Sequence, residues 1–80
     1  MNIKELKALL IERKVPSDSY SLEGGTPGMG ELCIEKIDNK WHLYISDRGT
    51  KFTKNYYDSE EEVVDAFLVD MRKYYRYLLK

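Results

Sequence analysis

The sequence predicts an α+β fold: one two-layer domain over residues 1–80, a three-stranded antiparallel meander with N- and C-terminal helices in the order α-β-β-β-α. Three observations lead there. Apolar residues recur at helical spacing at both ends of the chain. Residues 31–57 instead alternate with a period of two, broken by the turn pairs Asp38-Asn39 and Arg48-Gly49. Eighty residues, of which 34% are charged, suit a single modest core under a charged surface, with little apolar material left over for a deep substrate pocket.

The first helix is expected from Ile3 to Arg13, with Ile3, Leu6, Leu9 and Leu10 on one stripe. Asn2 is placed to cap it, and Glu5 stands at the third helical position of a capping box. Pro16 ends it by biasing Val15 away from helical angles. Residues 16–30 then read as a loop that holds both prolines and four of the five glycines, with Tyr20 and Leu22 as the side chains that tack it to the core.

A hairpin follows, Glu31 to Ile37 and Lys40 to Ser46, closed by Asp38-Asn39, two residues that tolerate the positive φ of a type I′ turn. A two-residue turn pairs Ile37 with Lys40, Lys36 with Trp41, Ile34 with Leu43 and Leu32 with Ile45. Leu32, Ile34, Trp41, Leu43 and Ile45 then share an apolar face, while Cys33 meets Tyr44 and Glu35 meets His42 on the other, which is expected to be open to solvent. A third strand, Lys51 to Tyr57, returns after Asp47-Arg48-Gly49-Thr50. Either Phe52 and Tyr56 point inward, or a bulge turns Thr53 and Tyr57 inward instead; the alternation alone does not choose.

The last helix opens on Ser59-Glu60-Glu61-Glu62, a capping box with three acids in the first turn, where the helix dipole favours negative charge. Val64, Phe67, Leu68, Met71, Tyr75 and Leu78 make its apolar stripe. Arg72, Lys73, Arg76 and Lys80 gather at its other end, leaving Tyr74 and Tyr77 exposed among them.

Function classes narrow by chemistry. Thirteen basic against fourteen acidic residues argue against a dedicated nucleic-acid binder. The lone Cys33 allows neither an internal disulfide nor a cysteine zinc cluster. The acids at 58–65 lack the spacing of a calcium loop, so no metal is expected. Gly24-Gly25-Thr26-Pro27-Gly28-Met29-Gly30 lacks the Gly-Lys-Ser/Thr of a phosphate loop and leads into a strand rather than a helix, so no nucleotide cofactor is implied. His42, the only histidine, has Glu35 to orient it, and a Cys33–His42 dyad is conceivable on the same face, but the two stand on a diagonal and a lone cysteine reads as a small apolar filler, so no catalytic set is expected. No apolar run approaches a bilayer span and the N-terminus has no apolar signal core, so the chain reads as a cytoplasmic protein, a monomer or weak homodimer.

Several strings along most of the chain resemble the small bacterial immunity proteins of polymorphic toxin systems: Tyr20-Ser21-Leu22 before Gly24-Gly25, Lys40-Trp41, Ser46-Asp47-Arg48-Gly49, and Asp58-Ser59-Glu60-Glu61-Glu62. The resemblance implies a helix–three strands–helix layout and a stoichiometric, non-catalytic inhibitor that binds a cognate toxin domain; the Tyr/Arg-rich tail is no part of it. Interface residues must come from the chain itself. The candidates are Glu35, His42 and Tyr44 on the outer sheet face, Asp47 and Arg48 at the hairpin tip, and Glu60 and Glu61 at the helix start. The alternative is a small regulatory nucleic-acid-binding protein using the tyrosines and arginines of the C-terminal helix, where base stacking beside positive charge is available.

Overall fold

The computed structural model describes residues 1–22 and 28–79. Its helix α1 (Ile3–Glu12) is followed by a single 3₁₀ turn (Ser17–Ser19) and four strands, β1 (Tyr20–Ser21), β2 (Met29–Ile37), β3 (Lys40–Asp47) and β4 (Thr50–Tyr57). Helix α2 (Glu60–Tyr74) closes the order. The strands form one mixed sheet in the order β1-β2-β3-β4. Both helices share one apolar core with one face of this sheet.

Both helices start at their expected caps, but only the α1 capping box forms whole. Asn2 accepts from the Glu5 amide at 2.8 Å, and the Glu5 carboxylate accepts from the Asn2 amide at 3.1 Å, so both halves of the capping box are present. In α2 the Ser59 hydroxyl accepts from the Glu62 amide and donates to the Glu62 carboxylate, each at 3.1 Å. Helix α1 ends one residue early, with Arg13 as its C-cap, and Lys14 takes a left-handed φ of 59° that releases Val15 into the core.

Three expectations are corrected. First, the sheet has four strands rather than three, and it is mixed. Tyr20 and Ser21 run parallel to β2, opposite Leu32 and Cys33. A two-residue strand inside a Pro/Ser/Gly-rich stretch is too short to show a periodicity, so the segment reads as loop. Its tacking residues act as expected: Tyr20 and Leu22 pack on the core, and Tyr20 meets the Phe67 ring edge-on at 6.4 Å. The Gly24-Gly25-Thr26-Pro27 part of the loop and Lys80 lie outside the described residues.

Second, neither expected register of the third strand holds whole. The two-residue turn Arg48-Gly49, with φ of 52° and 80°, pairs Asp47 with Thr50 and Ile45 with Phe52. A bulge then places Lys54 as an extra residue between the Tyr44–Thr53 and Leu43–Asn55 pairs. Phe52 before the bulge and Tyr57 after it therefore share the helix-side face, while Thr53 and Tyr56 share the outer face.

Third, α2 stops at Tyr74. Tyr75 leaves helical angles at φ −128°, and Tyr75 and Leu78 lie beyond the helix as half-buried residues of a turn. Leu79 is buried there, and its carbonyl accepts from the Arg72 side chain at 3.1 Å. Val63 joins Val64, Phe67, Leu68 and Met71 in the buried stripe.

The β2–β3 hairpin follows its expected register at all six pairs from Leu32–Ile45 to Ile37–Lys40, although only Asp38 of its two turn residues has a positive φ. Leu32, Ile34 and Leu43 are buried beneath Leu6, Leu10, Val64, Phe67, Leu68 and Met71. Gly28 is required by close approach. A Cβ there would stand 3.0 Å from the Gly49 nitrogen and 3.1 Å from the Arg48 nitrogen, because the Arg48 amide donates to the Gly28 carbonyl at 2.7 Å.

Candidate functional site: the outer sheet face and the aromatic surfaces beside it

Strand alternation carries Glu35, His42, Tyr44, Thr53 and Tyr56 to the sheet face opposite the helices, where the pairs Glu35–His42, Tyr44–Thr53 and His42–Tyr56 lie side by side. This face is polar, but its β2–β3 part is not open. The His42 side chain retains 4% of its exposure, Tyr44 and Cys33 are buried, and Glu35 is partly buried. The expectation of a solvated face failed because His and Tyr carry large ring surfaces that pack as apolar bodies when they meet each other.

The imidazole of His42 lies between two tyrosine rings, stacked on Tyr44 at 4.7 Å and on Tyr56 at 4.6 Å between centroids. Its Nδ1 is 2.8 Å from Glu35 Oε2 and its Nε2 is 2.7 Å from Thr53 Oγ1. An ionised Glu35 only accepts, so Nδ1 carries the proton. Nε2 then accepts from the threonine hydroxyl when the ring is neutral and donates to it when the ring is charged. The network closes in either state.

Lys51 donates to both Glu35 oxygens, at 3.0 and 3.1 Å, and lies 5.2 Å above the Tyr44 ring. Burial pushes the Glu35 carboxyl upward, but the hydrogen bonds from His42 and Lys51 and their charges outweigh it and hold it below the ordinary glutamate range. Burial pushes the Tyr44 phenol up to about 12, with the Cys33 thiol and the carboxylates of Glu35 and Glu31 adding to the shift.

Thr53, His42 and Glu35 have the connectivity of a hydroxyl–imidazole–carboxylate relay. Thr53 was not among the groups expected near His42, because its side of the sheet stays open until the two-residue turn Arg48-Gly49 pairs it with Tyr44. The surroundings are those of a structural network. Both ring faces of His42 are covered, and His42 lines neither of two concavities among the described residues. One of these, about 380 Å³, lies under the end of α2 between Lys54, Asp18 and Tyr74. The other, about 710 Å³, runs along α1 between Lys4, Lys7 and Tyr20.

The remaining candidates are scattered. Asp47 and Arg48 are exposed at the β3–β4 turn. Glu61 is exposed at the start of α2, but Glu60 is half-buried because its carboxylate accepts from the Ile3 amide at 2.9 Å, tying the start of α2 to the start of α1. The structure therefore gathers Glu35, His42 and Tyr44 into one packed unit and brings none of the other four to it.

Exposed aromatic side chains lie at the end of α2 and along β4, the outer strand of this face. Tyr74 is 69% exposed and Tyr77 81%, with the Arg76 guanidinium 5.9 Å from the Tyr77 ring. On β4, Phe52 is 55% exposed and Tyr56 half-exposed. The exposure of Tyr74 and Tyr77 is as the apolar stripe of α2 implied, whereas that of Phe52 was hidden by the ambiguous third-strand register.

No protein-family model matches the chain, and no curated protein or solved structure matches it either. No helix among the described residues is long and apolar enough to cross a membrane.

Proposed function

We propose that this chain is a non-catalytic protein-binding module, an immunity-type inhibitor that occupies a cognate toxin domain. The observation that carries the reading is the exposed Tyr74–Arg76–Tyr77 cluster at the end of α2. Tyrosine and arginine are among the residues enriched at interface hot spots, and here they stand outside the core. The burial of His42 supports the non-catalytic half, since a general base must reach a substrate proton and both nitrogens of His42 are engaged. The likeness of Ser46-Asp47-Arg48-Gly49 and Asp58-Ser59-Glu60-Glu61-Glu62 to the immunity proteins points to a toxin as the partner.

Affinity isolation from the native host, followed by sequencing of the captured protein and of the neighbouring gene, tests the partner. A toxin domain encoded next to this chain is expected, and the double variant Tyr74→Ala, Tyr77→Ala should weaken its binding by at least about tenfold. A captured toxin bound equally well by the double variant moves the interface to another surface, and the absence of any toxin partner ends the reading.

The same cluster carries a second reading, because tyrosine beside arginine also stacks nucleic-acid bases. That reading requires retention on single-stranded RNA or DNA that weakens steeply with salt; no retention at low salt removes it.

A further inference from the structure

We infer that β4 is a self-association edge, and that a second copy of this chain pairs with it antiparallel through Lys51–Thr53, the two-fold axis passing beside Phe52. This goes beyond the immunity reading and does not depend on it.

Of the two sheet edges, β1 offers two residues, whereas β4 offers eight, Thr50–Tyr57, of which all but Tyr57 are exposed. Natural edges are commonly blunted by free lysines. Here Lys51 is bound to Glu35 on the outer face and Lys54 to Asp70 of α2 at 3.1 Å, so both charges are partnered inside the domain. The bulge, another edge-blunting device, begins only at Lys54, and Asn55 accepts from the Tyr56 amide at 2.8 Å just beyond it. The regular segment available for pairing is therefore the first half of the strand.

Hydrogen-bond parity then selects one register. A two-residue I′ turn leaves its flanking pair, Asp47 and Thr50, mutually hydrogen-bonded. Thr50 and Phe52 thus direct their backbone groups at β3, while Lys51 and Thr53 direct theirs away from the sheet. An antiparallel second copy centred on Phe52 sets Lys51 opposite the second copy's Thr53, and Thr53 opposite its Lys51, so that all four outward pairs of groups are matched.

Side chains agree with that register. Phe52 meets the second copy's Phe52 at a non-hydrogen-bonded position, where opposed side chains approach most closely. Lysine faces threonine, and no like charges are opposed. The two helix layers fall on the same side of a continuous sheet of eight strands. So short a contact belongs with weak, concentration-dependent associations.

Sedimentation equilibrium of the full chain at concentrations up to about 1 mM tests this. The expected result is a reversible monomer–dimer equilibrium that Phe52→Lys abolishes, with circular dichroism and melting in dilute solution little changed because Phe52 is 55% exposed. Phe52→Cys should form an interchain disulfide under mild oxidation; Cys33 is buried and does not compete. A chain that stays monomeric throughout, or a dimer that survives Phe52→Lys, overturns the inference.

Discussion

The outer face of the sheet and the end of α2 exchange the roles their compositions suggest. Glu35, His42, Thr53 and Lys51 are polar, yet they form a connected layer that covers His42, in which the hydrogen-bonding atoms find each other and the rings of Tyr44, His42 and Tyr56 stack. Tyr74 and Tyr77 carry similar ring area and are left in solvent. The difference lies in the partners that backbone geometry provides. On the sheet, alternation along β3 sets Tyr44 beside one face of His42 and pairing with β4 sets Tyr56 beside the other. Past Tyr74 the chain leaves its helix, and Tyr74 and Tyr77 stay 69% and 81% exposed. Polarity of residues thus says less about where solvent reaches than the density of neighbours that the ladder supplies.

Truncating one tyrosine in each region should separate the two by the largest margin. Tyr44→Ala should destabilise the chain on the order of 3 to 5 kcal/mol in denaturant unfolding, as removal of a buried aromatic does. Tyr77→Ala should stay within about 0.5 kcal/mol. Equal losses would mean that the two regions do not differ.

A smaller effect sharpens the account of the outer face. The carboxyl of Glu35 is held below its ordinary range in the fold. Its contribution to stability is therefore complete above the unfolded-state value of about 4.3 and is lost as pH falls through the lower folded value. Stability measured from pH 7 downward should show an acid limb that Glu35→Gln flattens; an unchanged limb would place the acid sensitivity elsewhere. The smallest effect belongs to the exposed Lys40–Asp58 ion pair, where Lys40→Ala should cost about 0–1 kcal/mol and less in high salt.

The legible parts of the fold are those fixed by local spacing. Asn2 with Glu5 and Ser59 with Glu62 mark both helix starts, and alternation from Leu32 to Ile45 fixes the central hairpin pair by pair. The parts that were not legible depend on contacts between distant residues or on a break in period. No glycine marks the bulge at Lys54, no glycine or proline marks the end of α2 at Tyr74, and Tyr20-Ser21 becomes a strand only because β2 lies beside it. The candidate interface divides the same way. Alternation placed Glu35, His42 and Tyr44 on one face correctly, but their closure required Tyr56 and Thr53, whose side of the sheet the sequence left open between two registers.

The bulge in β4 also makes the strand one residue longer than its ladder requires. Remove Lys54 from the pairing, and Phe52 still faces Ile45, Thr53 still faces Tyr44, Asn55 faces Leu43, Tyr56 faces His42 and Tyr57 faces Trp41. Remove a paired residue on either side instead, and the bulge must be lost to absorb the change. Lys54 is in this sense a spare letter in a message read two at a time: the one place in β4 where the reading frame of inside and outside is indifferent to length, held for the reach it gives a lysine toward Asp70.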